Sequence, residues 1–210
     1  MRLEPQVDCA LCPRLVELRR CHRAAFPAWH NGPVASFGAR RAGLLVVGLA
    51  PGLRGANRTG RPFTGDHAGE ILYRTLIEHG FARGDYRASP DDGLELIDCR
   101  ITNAVRCVPP ENRPSGAEIN ACRRFLLAEL EPPPRVVLPL GGIAHGSVVR
   151  ALRLAPGAMP FRHGAVYRPT HGPILAPSYH CSRYNLNTGR LTPAMFTAHV
   201  RQVRALVDGL

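Results

Sequence analysis

The chain has 210 residues, of which 45% are hydrophobic, so one domain with a sizeable core is expected. No run approaches the roughly 18 to 20 apolar residues of a membrane span, and the first eight residues lack the apolar centre of a signal peptide, which predicts a cytoplasmic protein. The net charge of +11 favours a polyanion such as nucleic acid, although genomic base bias also produces basic proteins.

A Cys-x-x-Cys turn at Cys9 and Cys12 is the first feature along the chain, and apolar residues at 15, 16 and 18 predict a helix after it. This pair of cysteines is typical of two things: one half of a metal site, or a redox-active pair. A thioredoxin-like pair follows a strand, and none is predicted here, so a metal is favoured. Glycines and prolines in residues 24–43 predict a connector.

The run 44–47 predicts a buried strand, which Gly-Leu-Ala-Pro-Gly at 48–52 ends. A loop with Phe63 and Asp66 follows, and a helix is expected to begin near Asp66 and to end at Gly80. The loop is not a Walker phosphate loop, because no Gly-Lys-Ser/Thr follows it.

Residues 81–96 predict a polar connector, and residues 96–102 predict a second strand that runs into Asn103. Prolines keep the next segment irregular. Ser115 and Glu118 then match a capping box, which predicts a helix over 116–131.

A third strand is predicted over 135–142, with a glycine exit and a following helix. A fourth strand, near 174–179, runs into His180. The last helix is expected to begin with Thr192 as its cap and Pro193 as its first residue.

The strand, loop, helix alternation recurs four times, so we predict a three-layer α/β/α fold around a mostly parallel four-stranded sheet. We expect residues 1–210 to form a single domain. The exits of parallel strands converge at one rim, where ligands bind. An aromatic ring, an amide and an imidazole at that rim can stack on a planar base and read its edge. The candidate residues at these exits are Gly48, Leu49, Ala50, Phe63, Asp66, Asn103, His180, Ser182 and Arg183.

Seven cysteines in a reducing compartment indicate metal binding or chemistry rather than disulfides. Spacing gathers four of them, namely Cys9, Cys12, Cys107 and Cys122. Four thiolates suit zinc or an iron–sulfur cluster, and the presence of one tight pair rather than two favours the cluster. The remaining three are Cys21, Cys99 and Cys181, of which Cys99 is expected in the core.

The sequence resembles uracil-DNA glycosylases of the iron–sulfur branch. The matching segments are GLAPG with NRTGRPFTGD, ITNAVRCVPPENRPSGAEINACRRF, VVLPLGG and SYHCSRYNLNTGRLTPAMF. They cover most of the chain, and Leu49 together with the first and last segments resembles the fifth family, also called type b. In the fourth family a glutamate stands at the position of Leu49.

This resemblance implies a [4Fe-4S] cluster of structural role on Cys9, Cys12, Cys107 and Cys122, held partly by the N-terminal segment. It further implies that Phe63 stacks on a flipped base, that Asn103 hydrogen-bonds its edge and that His180 donates to the uracil O2. Gly48, Leu49 and Ala50 belong to the base pocket. Ser182 and Arg183 belong to a loop that wedges into the duplex, and Arg58 is assigned to DNA contact. Cys181 departs from the family, which commonly has proline there.

The first motif carries no carboxylate at Leu49 or Ala50, so Asp66 is the nearest candidate to position water or balance the sugar cation. The chain contains no lysine, which predicts a monofunctional enzyme that leaves an abasic site. The expected partner is uracil-containing double-stranded DNA, with single-stranded DNA left open, and the enzyme is expected to be a nucleoid-associated monomer without a membrane partner. Hypoxanthine is a further expected base.

Two alternatives stay open. One is a catalytically weak uracil- or DNA-binding module with a structural metal site. The other is an electron-transfer protein, which would leave Asn103 and His180 without a role.

Overall fold

Four parallel strands form the central sheet in the computed structural model, which describes residues 4–210. The strands are β1 (Leu44–Gly48), β4 (Cys99–Asn103), β5 (Val136–Pro139) and β6 (Ile174–Leu175), while β2 (Ala82–Arg83) and β3 (Glu95–Leu96) form a separate antiparallel hairpin. The sheet order is β4-β1-β5-β6. The register pairs Gly48 with Asn103, so these two residues leave the sheet at the same edge.

Helices cover both faces of this sheet. They are α1 (Pro13–Ala25), α2 (Ala56–Thr59), α3 (His67–Glu78), α4 (Gly116–Glu129), α5 (Gly142–Ala151), α6 (Arg183–Asn187) and α7 (Pro193–Asp208). Alternate residues of β1 divide between two cores: Leu44 and Val46 pack with α3 and α7, and Leu45 and Val47 pack with α4 and α5. The predicted three-layer α/β/α fold is therefore confirmed.

Local capping signals place the helix starts correctly. Asp66 caps α3 through the Gly69 backbone N–H, and the predicted capping box of Ser115 and Glu118 begins α4. Thr192 caps α7, which starts at Pro193 as predicted. Helix starts can be predicted from the sequence here because the capping side chain and the backbone amide that donates to it lie within one helical turn.

The structure differs from the expectation at four places. The loop after β1 contains α2, and residues 81–96, which are predicted as a polar connector, contain the β2–β3 hairpin. The second strand of the sheet begins at Cys99 rather than Leu96, because Asp98 has a φ of +47° that interrupts extended backbone. The sequence predicts a loop after His180, whereas the structure has the short helix α6 there.

A third, smaller hydrophobic cluster lies between α1 and α4, where Leu15, Val105 and Phe125 pack together. No helix within residues 4–210 is long and apolar enough to cross a membrane.

Candidate functional site

The carboxyl ends of β1 and β4 open onto a cleft of about 820 Å³. The structure brings together most of the residues predicted at this rim. Those that line the cleft are Leu49, Ala50, Phe63, Asp66, Asn103, His180, Ser182 and Arg183.

A phenyl ring, an imidazole and an amide lie together in this cleft. The ring centroids of Phe63 and His180 are 5.8 Å apart, with 27° between their planes. A Cβ atom on Gly48 would lie 2.3 Å from Asn103 Oδ1 and 2.6 Å from Phe63 Cζ. The missing side chain at Gly48 therefore allows the Asn103 amide and the Phe63 ring to converge.

Phe63 adopts a strained backbone conformation, with a φ of +52°. Its carbonyl oxygen accepts a hydrogen bond from the Tyr86 hydroxyl at 3.2 Å, and the same hydroxyl accepts from the Gly65 backbone N–H at 3.3 Å. A Cβ on Gly69 would lie only 1.8 Å from that carbonyl oxygen. The first turn of α3 and Tyr86 thus fix the aromatic residue from two sides.

Arg61 supports the same segment from the core. Its guanidinium forms a bidentate ion pair with the buried Asp92, at 2.7 and 2.8 Å, and its Nε donates to the Thr64 hydroxyl at 2.7 Å. The guanidinium also lies over the rings of Phe37 and Tyr73, 5.2 and 5.3 Å from their centroids. These contacts fix the chain on both sides of Phe63.

Asp66 serves both the helix and the cleft. Its Oδ1 accepts a hydrogen bond from the Gly69 backbone N–H at 3.0 Å. Its Oδ2 lies against the loop after β1, where a Cβ on Gly55 would come within 2.5 Å of it. One carboxylate oxygen is therefore engaged by the cap, and the carboxylate has a defined orientation in the cleft wall.

His180 is held in an electrostatic environment that favours the neutral imidazole. Burial lowers its pKa below the ordinary value, and the Asp66 carboxylate opposes this only in part. The Asn185 side-chain amide donates to the His180 carbonyl oxygen at 2.8 Å and fixes the backbone. The next residue, Cys181, is fully buried, and its thiol donates to the Ala68 carbonyl at 3.4 Å, which ties the His180 segment to α3.

The predicted DNA-contact residues fall in two places. Ser182 caps α6 by accepting from the Asn185 N–H, and Arg183 begins that helix at the mouth of the cleft. Tyr184, the next residue, is 71% exposed. Arg58 does not line the cleft and lies in a neighbouring open groove beside Trp29.

The four cysteines gathered by spacing line one small cavity between α1 and α4. The Arg106 backbone N–H donates to Cys122 Sγ at 3.3 Å. Burial raises the pKa of the Cys107 thiol to about 12 and that of Cys122 to about 11. Within residues 4–210, no three His, Cys, Asp or Glu side chains form a ready-made site for a metal ion.

Arg19 also lines this cavity, although arginine is rarely buried. Its two terminal nitrogens contact the Cys9 carbonyl oxygen at 3.0 Å and Cys107 Sγ at 3.9 Å. Its Nε is buried and has no hydrogen-bond partner among the described residues. A positive, unsatisfied donor beside four thiols fits an anionic, thiolate-bound group.

The cavity and the cleft share a wall. Ala50 lines the cleft and also packs against the cysteine-rich cluster. Asn112, on the short 3₁₀ helix Pro110–Asn112, lines the cleft and belongs to the loop between Cys107 and Cys122. The chain segment that carries two of the thiols therefore also shapes the cleft.

Sequence reasoning missed several of these supporting residues. Asn185 and Asn112 lie within quoted segments, but nothing in their spacing distinguishes them from ordinary loop residues. Arg19 and Arg61 look in the sequence like surface arginines, and only the fold shows that they are buried.

Comparison with known proteins gives consistent results. A model of the uracil DNA glycosylase superfamily matches residues 35–204. The type-5 uracil-DNA glycosylase of Thermus thermophilus is 44% identical over 206 residues, covering 94% of this chain and 93% of that protein. The type-5 enzyme of Pyrobaculum aerophilum is 40% identical over 204 residues, covering 95% and 89%. A type-4 uracil-DNA glycosylase of the same organism is 32% identical over 129 residues, covering 60% and 58%.

Proposed function

Because the chain belongs to the uracil DNA glycosylase superfamily, we propose that it is a DNA-repair N-glycosylase that excises uracil. The observation that carries this proposal is the meeting of Phe63, Asn103 and His180 in one cleft at the carboxyl edge of the sheet. The enzyme releases the free base from DNA and leaves an abasic site.

Base recognition follows from the chemistry of these three side chains. The flipped base stacks on the Phe63 ring, whose position is fixed by its strained backbone and by the Tyr86 hydroxyl. The Asn103 amide offers one donor and one acceptor to the hydrogen-bonding edge of the base. Extrusion costs a few kcal/mol, and least for a mispaired base, so uracil opposite guanine is the preferred substrate.

Bond cleavage depends on charge stabilisation. As the glycosidic bond breaks, negative charge develops on the departing base and positive charge on the sugar. The neutral His180 imidazole donates an N–H to the uracil O2, and the Asp66 carboxylate balances the sugar cation or orients the attacking water. The absence of lysine makes the reaction monofunctional, because a lysine imine cannot form.

The mouth of the cleft supplies the DNA contacts. Arg183 and Arg58 contact phosphates, and Ser182 stabilises the helix that carries Arg183. The exposed ring of Tyr184 enters the duplex as the base leaves it. We assign double-stranded DNA as the main substrate and the nucleoid in the cytoplasm as the place of action. The active form is a monomer in this proposal, since residues of one chain line the cleft.

The four cysteines, Cys9, Cys12, Cys107 and Cys122, hold a [4Fe-4S] cluster in this proposal. Four thiols with no carboxylate ligand suit iron and sulfide. When bound, the cluster would supply structural support, because Cys9 and Cys12 would be linked through it to Cys107 and Cys122, which flank the loop that carries Asn112.

Single-turnover assays test the activity. Purified protein is incubated with duplexes that carry uracil, hypoxanthine or xanthine opposite a defined base, and with single-stranded uracil DNA. We expect uracil release without strand cleavage and, because the pocket lacks a first-motif carboxylate, release of hypoxanthine as well. His180→Asn should abolish release, whereas the control His163→Asn should retain it. Tight binding of uracil-containing DNA without release would instead indicate a binding module.

Iron and acid-labile sulfide analysis tests the cofactor separately. We expect a brown protein with about four irons and four sulfides per chain, the composition of a [4Fe-4S] cluster. Zinc without sulfide would refute the cluster while leaving the excision proposal intact.

A further inference from the structure

Three arginines are buried within the described residues, and they differ in their counter-charges. Arg61 pairs with Asp92, and Arg106 pairs with Glu129 and Glu4. Arg19 has no carboxylate partner among residues 4–210, and the three residues before them contain no carboxylate.

The carboxylates near Arg19 are already neutralised by other residues. Asp8 is mainly exposed and pairs with Arg23 at 2.7 Å. Glu118, which is close enough to Cys12 to act on it electrostatically, forms a bidentate pair with Arg14 at 2.8 Å. A buried guanidinium that lacks a counter-ion is strongly unfavourable, so an anion is expected beside it.

The position of Arg19 on α1 explains how it reaches the cavity. Arg19 and Leu15 are one helical turn apart, and they are the two residues of α1 that are buried. One terminal nitrogen donates to the Cys9 carbonyl oxygen, the other lies 3.9 Å from Cys107 Sγ, and the buried Nε has no hydrogen-bond partner among the described residues. The guanidinium is therefore held in place before any anion binds.

We propose that Arg19 is the counter-charge and hydrogen-bond donor of the iron–sulfur cluster. This inference rests on the cluster proposed above. A [4Fe-4S]²⁺ core with four thiolates carries two negative charges, and one buried guanidinium offsets part of them. Arg19 is thus a positioning and charge-balancing residue rather than a catalytic one.

Arg19→Met and Arg19→Lys, compared with Arg20→Met, test the proposal in the purified holoenzyme. Arg20 is the adjacent residue on the same helix, and its side chain is exposed. Arg20→Met therefore removes the same charge without changing the cavity. We expect Arg19→Met to hold iron about 10- to 100-fold less tightly, seen as faster bleaching in chelator, since removal of a group that supports metal ligands weakens binding by about this factor. Its cluster should also have a lower reduction potential, because a positive charge is gone. Arg19→Lys should restore part of both properties.

The controls separate the possible failures. Circular dichroism establishes that each variant is folded, and Arg20→Met should match the wild type in iron retention and potential. Equal retention and an unchanged potential in folded Arg19→Met would overturn the role of Arg19. Wild-type protein without iron and sulfide would instead refute the cluster, and uracil release is measured independently of both.

Discussion

Substitution of Asp66 separates two roles that one carboxylate holds. Asp66→Ala removes both the cap of α3 and the charge in the cleft. In the wild type, the Gly69 backbone N–H donates to Asp66 Oδ1 at 3.0 Å. Asp66→Ser and Asp66→Asn each keep a side-chain oxygen that can accept this hydrogen bond, but both remove the charge. Stability and activity should therefore respond differently across the three variants.

The expected magnitudes follow from these contacts. Loss of an N-cap costs about 1 kcal/mol, so Asp66→Ala should lower the free energy of unfolding by about that amount, and the serine and asparagine variants by much less. If the carboxylate orients water or balances the sugar cation, all three variants should lose about 100-fold or more in single-turnover uracil release.

Thr192→Ala is the matched control, because Thr192 caps α7 through the Met195 N–H at 3.2 Å. It should lose a similar free energy of unfolding, measured by urea titration, with no loss of uracil release. Wild-type release rates in Asp66→Ser and Asp66→Asn would show that Asp66 is only a helix cap and would refute its catalytic role.

Three further predictions follow. Gly48→Ala, which places a Cβ 2.3 Å from the neighbouring amide oxygen, should lower uracil release about 100-fold in a folded protein; unchanged release would contradict the packing described. Tyr184→Ala should reduce release from duplex DNA about tenfold but leave release from single strands nearly unchanged, and an equal loss on both would exclude a wedge. Burial lowers the pKa of His163, His180 and His199 in the folded protein. Below about pH 6.5, the unfolded chain therefore binds more protons at these three residues than the folded protein does. The free energy of unfolding should therefore fall as the pH drops from 7.5 to 5, by up to about 1.4 kcal/mol per pH unit for each group; urea titrations that give a constant value would contradict this.

The strands and helix caps could be predicted because their signals are local. The apolar run 44–47 needed no partner to be recognised as a buried strand, and Ser115 with Glu118 marks a helix start within four residues. The convergence of Phe63, Asn103 and His180 was predictable from parallel topology, since strand exits share one edge of the sheet.

The supporting contacts could not be predicted, because they join distant segments. The burial of Arg61 depends on Asp92, 31 residues away, which lies between the strands of the β2–β3 hairpin, each of only two residues. Arg19 is one of 27 basic residues, and its unsatisfied Nε becomes visible only when α1 packs against α4. Helix α6 is short, so its sequence resembles that of a loop.

A crystal structure with duplex DNA that carries 2′-fluoro-deoxyuridine, whose glycosidic bond resists cleavage, tests the central claim most directly. We predict an extruded uracil stacked on Phe63, with the Asn103 amide on its edge and the His180 imidazole within hydrogen-bond distance of O2. A uracil that stays in the duplex, or that binds away from these three side chains, would contradict the proposed function of the cleft.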